Sequence, residues 1–299
     1  MARGQQLRIL IGVLAAGVLG SALVGSAYYW ERVVKPQRSV AQRLIERERG
    51  GQRPDPGLKE FGTALELIQS GDLFAARERL AYLMRYYSDS SKYGEAKRVL
   101  GEINVDLLIS RSPAPWKTNY TVRPGDSLSR IASIHRCTLD FIIRANGLTS
   151  TSLTPGDKLW VASLEFALRA NLKARTLTLF RRIAPEDSGA KGGGEEFFKE
   201  YQIVEIDLPP TVRVPYETKI SDKPAWEGSK PVPFSATKPS YFTARRWLQT
   251  SKSGLVIQAA PPDPASAPAE WKAGILLSEG DLKELYTIVR TGTPLRLAD

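Results

Sequence analysis

Tyr120 to Val161 reads YTVRPGDSLSRIASIHRCTLDFIIRANGLTSTSLTPGDKLWV, and the rest of the chain is best read outward from it. Tyr120, Thr121 and Val122 alternate as a short strand, and Pro124-Gly125 turns the chain. Asp126 or Ser127 caps a helix whose inward face is Leu128, Ile131 and Ile134. Thr138 caps a second helix, with Leu139, Ile142 and Ile143 inward, and Asn146-Gly147 ends it. A turn at Pro155-Gly156 leads into a last strand, Lys158 to Val161. Strand, helix, helix, strand in so short a segment predicts a small two-layer domain.

These residues resemble a LysM module: they match its YxVxxGDxLxxIA start, its ANGL element and its LxPGxxLxV end. The resemblance implies binding of N-acetylglucosamine-containing glycans, in bacteria chiefly peptidoglycan. It places the groove between two loops, with Gly125, Asp126, Ser127 and Leu128 on one side and Asn146, Gly147, Leu148, Leu153 and Pro155 on the other. Each of these also has a plain structural use, the polar ones as caps and the glycines as turn formers. His135 and Cys137 sit at the end of the first helix and just beyond it. They read as packing residues, because the segment offers no third group to orient a nucleophile and base.

The full chain of 299 residues carries 42 Lys and Arg against 32 Asp and Glu, a formal net charge of +10. The charges are interspersed and no basic block alternates with aromatics, so the excess reads as a mixed surface suited to anionic envelope polymers and not to nucleic acid. One cysteine excludes an internal disulfide, and one histidine beside it leaves no His/Cys metal cluster. No cofactor is expected.

Upstream, Ile9 to Trp30 reads ILIGVLAAGVLGSALVGSAYYW, an uncharged run long enough to span a bilayer, with Tyr28, Tyr29 and Trp30 at headgroup level. It predicts a single-pass anchor in the cytoplasmic (inner) membrane with the bulk of the chain on the periplasmic or extracellular side. The alternative is a secretory signal cleaved near Ala27, after the basic Arg3 and Arg8. Arg32, Lys35, Arg38 and Arg43 follow the span and by the positive-inside rule argue for the opposite orientation. Long downstream domains are exported with little regard to such charges. Residues 31–57 form a charged linker ending in Gly and Pro. Residues 58–110 then show helical periodicity in three pieces: Phe61, Leu65 and Ile68; Leu73, Ala76, Leu80, Leu83 and Met84; and Ala96, Leu100, Ile103, Leu107 and Leu108. ALELIQSGDLFAARERLAYLMRYY, inside this region, resembles one tetratricopeptide-type hairpin, and a single unit is too few for a solenoid.

After Leu164 the pattern changes to strands. FALRANL and RTLTLFRRI form a hairpin about Lys173-Ala174; KEYQIVEIDL, TVRVPYETKI, YFTARRWLQ and GLVIQAA read as further strands. A helix from Ser278 to Arg290 and a strand from Leu295 to Leu297 close the chain. The hairpin, the ARRWL element and the ending SEGDLKELYTIVRTGTPLRL resemble the catalytic domain of L,D-transpeptidases, cysteine enzymes that crosslink peptidoglycan stems. In that family the nucleophile precedes the helix Asp by seven residues, and here counting back from Asp281 lands on Gly274. The family's SHGCIR thus falls on Trp271 to Leu276, with Lys272 at the histidine and Leu276 at the arginine, and its IHG falls on Ile257, Gln258 and Ala259. A thiolate, a base and a guanidinium are all replaced, so no catalytic residue is expected.

The chain is therefore expected to be α+β and multidomain: an anchor at 1–30, a linker at 31–57, a helical region at 58–110, a βααβ LysM module at 118–162 and a mostly-β transpeptidase-like domain at 164–299. The function this implies is a non-catalytic, peptidoglycan-binding envelope protein. The alternatives are an enzyme modifying peptidoglycan with a non-standard site at Lys272 or Asp281, and a scaffold whose helices recruit cell-wall enzymes.

Overall fold

The computed structural model describes residues 55–184, 193–227, 230–234, 241, 243–261 and 274–299. The apolar run Ile9–Trp30 and most of the linker lie outside them, as do Trp271, Lys272 and Ala273. Among the described residues no helix is long and apolar enough to cross a membrane. Gly57–Asp299 forms one unit, distinct from Met1–Pro56.

Three helices open the described chain: α1 (Pro56–Gln69), α2 (Leu73–Tyr86) and α3 (Tyr93–Ile109). Gly71, at φ 83°, makes the first turn, and the Asp72 carboxylate accepts the Ala75 N–H at 3.0 Å to cap α2. Phe61, Ala64, Ala76, Leu80, Leu83, Ala96, Leu100, Ile103 and Leu107 form their core. Leu65, expected inside, is 40 % exposed. A lone hairpin packs α1 on one side only, so the edge of its apolar stripe stays wet.

β1 (Lys117–Thr121), α4 (Leu128–Ile134), α5 (Leu139–Asn146) and β2 (Lys158–Ala162) follow in the expected order. β1 and β2 pair antiparallel from Lys117↔Ala162 to Thr121↔Lys158. Two inward assignments are corrected. Ile134 is exposed, since it falls roughly 120° around α4 from Leu128, off the stripe that Leu128, Ile131 and Ala132 bury. Leu139 is only half-buried, and Phe141 takes the interior of α5 with Ile142 and Ile143.

The C-terminal strands are β3 (Phe166–Asn171), β4 (Thr176–Ile183), β5 (Gly194–Gln202), β6 (Glu205–Asp207), β7 (Tyr216–Asp222), β8 (Ala225–Glu227), β9 (Lys230–Pro231), β10 (Arg245–Thr250), β11 (Val256–Ala259), β12 (Gly274–Leu277) and β13 (Pro294–Ala298), with α6 (Glu279–Ile288) before the last. They form, among the described residues, an 11-stranded sheet ordered β5-β4-β3-β13-β7-β10-β11-β12-β6, to which β8 and β9 attach beside β10. β13 runs parallel to β3 and β12 parallel to β11.

Three expected strands are redrawn. KEYQIVEIDL is two strands, β5 and β6, which stand at opposite ends of the sheet order. Ile203 N–H donates to Arg175 O and Val204 N–H to Leu276 O, both at 2.8 Å, so consecutive residues reach both ends and the sheet curls back on itself. In TVRVPYETKI the strand begins only at Tyr216. In YFTARRWLQ, Tyr241 and Thr243 are helical and extension starts at Arg245.

The small βααβ unit is not a separate bead. One apolar core runs from Val105 and Leu108 of α3 through Ile131, Phe141 and Ile142 to Leu168, Leu179, Leu282 and Leu285. Thr138 Oγ1 donates to Thr287 O at 2.5 Å and Arg144 Nη1 to Thr287 Oγ1 at 3.0 Å, joining α5 to α6. On the other flank Asn104 Nδ2 donates to Phe198 O, and Lys199 pairs with Glu102 and Glu284. Burial opposes charging of Lys199, but those two carboxylates prevail and raise its pKa.

Candidate functional site

Two loops meet at the same end of the antiparallel β1–β2 pair. Val122 N–H donates to Asp157 O and Gly156 N–H to Val122 O, each at 2.8 Å, so the 122–127 and 147–157 segments lie side by side. Of the residues expected in the groove, Gly125, Asp126, Ser127, Gly147, Leu148, Leu153 and Pro155 fall in these two segments, while Leu128 and Asn146 belong to α4 and α5 beside them.

Their side chains divide by task. Ser127 Oγ accepts the Arg130 N–H and is the cap of α4. Asp126, the other expected cap, instead accepts the Tyr120 hydroxyl at 2.6 Å and the Arg123 N–H at 2.8 Å. The Tyr120 hydrogen bond, followed by the Arg123 amide, holds the Asp126 carboxyl below its ordinary range, and the same bond raises the Tyr120 phenol. Asn146 donates to Ile142 O and Trp160 O and accepts the Trp160 N–H at 2.7 Å, stitching α5 to β2. Leu128 is buried, while Leu148 and Leu153 are half-buried against the core. Gly125, Ser127, Gly147 and Pro155 remain exposed, so the surface offered to a ligand is largely backbone and small side chains. Backbone amides at such a surface suit the acetamido groups of a glycan.

Arg111, just beyond α3, was not signalled by the motif. Its Nη2 donates to Gly147 O at 3.4 Å, and a Cβ on Gly147 would stand 2.0 Å from that nitrogen. The linker thus supplies a guanidinium to the lip of the groove. The packing of α3 against the unit, through Val105 and Leu108 in the shared core, brings it there, and no local pattern in the sequence encodes that.

His135 packs edge-on to Tyr120 at 4.9 Å, and Cys137 is buried. Burial pushes the Cys137 thiol up to about 12, which leaves it neutral and inert near neutrality.

The second candidate lies on β11 and β12. In this parallel pair Val256 stands opposite Gly274 and Gln258 opposite Leu276, so Gly274, Leu276 and Gln258 project on one face. Gln258 is buried and its Oε1 accepts from Arg245 Nη2 at 3.0 Å. Leu276 is buried beside it. Gly274 has φ 155°, and a Cβ there would lie 1.9 Å from Val256 O. The backbone at this position excludes any side chain, a thiol included. Ser278 Oγ accepts the Asp281 N–H and donates to the Asp281 carboxylate at 2.7 Å, so Asp281 serves the start of α6. Lys272 lies outside the described residues.

Comparison with known proteins separates these two regions. The model of the LysM domain matches residues 120–162. Residues 120–162 are a LysM domain. None of the curated proteins matches the chain by sequence. Similar solved structures include an L,D-transpeptidase C442S mutant from Enterococcus faecium, at 15 % identity and TM-score 0.26, covering 46 % of this chain and 52 % of that one. They include an L,D-transpeptidase from Mycobacterium smegmatis, at 15 % and 0.29, covering 48 % and 64 %. A fused Zn-dependent amidase/peptidase/peptidoglycan-binding protein from Clostridium acetobutylicum aligns at 12 % and 0.30, covering 51 % and 57 %. The chain thus spans little more than half the length of the Enterococcus and Clostridium proteins. Beyond the LysM domain, the reading of β11 and β12 rests on their own register and contacts.

Proposed function

We propose that this chain is a membrane-held, peptidoglycan-binding protein of the bacterial cell envelope whose transpeptidase-like domain has lost its chemistry. The LysM domain carries the binding half of this reading: its two paired loops present exposed Gly125, Ser127, Gly147 and Pro155 to solvent. Gly274 supports the non-catalytic half, since the carbonyl of Val256 occupies the space a nucleophile would need. Gln258, buried and held by Arg245, is an amide without a titrating proton and offers no base. The Ile9–Trp30 run supplies the membrane tether, with the LysM domain on the outer side, and confinement there raises the effective concentration of a weak single domain at the wall.

Sedimentation of the chain with insoluble peptidoglycan tests the binding half. Retention above that of an unrelated protein of equal charge is expected, and equal retention discards it. Incubation with stem tetrapeptides tests the other half: the expected result is no new crosslinked or trimmed product, and any such product restores the enzyme reading.

A further inference from the structure

Four side chains of α2 stand in one row. Phe74, Glu78, Tyr82 and Tyr86 follow one another at intervals of four residues, the spacing of a surface ridge on an α-helix, and all four face solvent. Phe74 is 43 %, Tyr82 43 % and Tyr86 59 % exposed, with the Tyr82 and Tyr86 rings 4.6 Å apart. With Leu58 and Leu65 of α1 they make five of the seven large apolar side chains exposed among the described residues, so exposed apolar surface is concentrated on these two helices and not scattered. The inward side of α2, with Ala76, Leu80 and Leu83, is already packed in the helical core, and the row is the side left in solvent.

Charge narrows what can cover it. Gly57–Tyr86 carries Lys59, Arg77, Arg79 and Arg85 against Glu60, Glu66, Asp72 and Glu78, so this hairpin is neutral in a chain of formal net charge +10. Two copies of so basic a chain repel each other, and a neutral aromatic face is where they can meet at least cost. An anionic polymer or membrane surface would call for a basic excess that the hairpin lacks.

The row also reads the same in both directions. Turned antiparallel about a point midway between Glu78 and Tyr82, it sets Phe74 against a second Tyr86 and Glu78 against a second Tyr82. Arg85 lies three residues beyond Tyr82, about 4.5 Å along the axis, within reach of the opposite Glu78. Glu78 is bonded to Arg77 at 2.5 Å, yet its side chain is 57 % exposed and its carboxylate can accept further hydrogen bonds. Interdigitation of two such four-residue ridges is the commonest way for helices to pack. The two-fold axis makes each aromatic pair and each charge pair twice.

We propose that α2 is the interface of a symmetric homodimer, in which two copies of this chain pack the row Phe74, Glu78, Tyr82, Tyr86 antiparallel. The pairing stands independently of the proposed function. Its consequence for that function is bivalency, since one assembly then carries two LysM domains and weak single contacts reinforce each other.

Sedimentation velocity of the full-length chain in a mild detergent, without glycan, is the test. The expected result is a reversible monomer–dimer equilibrium whose dissociation constant rises about tenfold or more in the double variant Tyr82→Ser/Tyr86→Ser. Both side chains are exposed, and an unchanged melting temperature confirms that the variant is folded. Glu78→Arg and Arg85→Glu each set like charges across the interface, so each alone should be monomeric where the parent is dimeric. Mixed in equal amounts the two present opposite charges to each other and should recover the dimer. A parent that stays monomeric up to on the order of 100 μM overturns the assignment and leaves the face to a different protein. Variants that dimerise as the parent does, or a mixture that stays monomeric, overturn it equally. Failure of peptidoglycan retention removes the glycan reading and leaves the dimer standing, because the association is measured with no glycan present.

Discussion

Two residues carry the argument at the smallest scale. Gly274 is extended into a region of positive φ that other residues rarely adopt, and its missing Cβ is filled by the Val256 carbonyl. Restoring the sulfur with Gly274→Cys must therefore strain the backbone and displace β11. We expect a loss of about 2 kcal/mol or more in urea unfolding and no crosslinking activity. A variant as stable as the parent would show that β12 accommodates a side chain after all. Tyr120 makes the complementary case. Its hydroxyl is the leading cause of the lowered Asp126 pKa, so Tyr120→Phe should move that carboxyl back toward the ordinary aspartate range in an NMR titration. Asp126 is depressed in the folded chain, so the stability it contributes is present above its unfolded pKa and lost as pH falls through the folded one. The loss on acidification should accordingly shrink in the variant.

Among elements, the junction of β7 with α6 is the one whose energetics follow from a titrating group. Lys223, just beyond β7, donates to Tyr286 O at 2.5 Å, and the Tyr286 hydroxyl donates back to Lys223 O at 2.5 Å. Burial, ahead of the opposing pull of Asp140, lowers the Lys223 amine to about 8. Between that value and the ordinary 10.5 of a lysine the unfolded chain holds a proton that the folded chain lacks, so stability rises with pH across this window. Relative to Lys223→Met, the parent should gain roughly 3 kcal/mol between pH 7.5 and 10.5, read from urea midpoints at each pH. A parallel pair of profiles would mean that the amine stays charged throughout. Elements of this kind were legible in the sequence where periodicity and caps agreed: Asp72, Ser127, Thr138, Ser278 and Gly147 all end or begin helices as their chemistry dictates. Legibility failed where a neighbour decided. The break at Ile203-Val204 comes from closure of the sheet, and the exposure of Leu65 from a missing repeat, neither of which a local pattern contains.

For the molecule as a whole, the sequence suggested beads on a string, since LysM, helical and strand patterns succeed one another with short linkers. The candidate site followed the same rule: residues of the LysM loops could be named because they lie in one contiguous motif, while Arg111 reaches Gly147 only through the way the segments pack. Between β2 and β3 stand only Ser163, Leu164 and Glu165, and Leu164 is buried in the core that α5 shares with α6. Thr138 both caps α5 and donates to Thr287 O, so one hydroxyl ties the domain's own helix to the sheet unit. Cooperative unfolding follows, because neither part can open without exposing the other's apolar face. Differential scanning calorimetry should show the LysM domain and the sheet melting together, and Thr138→Val should lower that single transition by an amount equivalent to about 1–2 kcal/mol, the cost of a lost cap and a lost buried hydrogen bond. If the variant instead resolves a second, earlier transition, the shared core is too weak to couple the parts, and the orientation of the groove relative to the sheet is not fixed by packing. The coupling matters for function, since the shared core and the Thr138–Thr287 bond fix how the exposed LysM loops stand relative to β11 and β12.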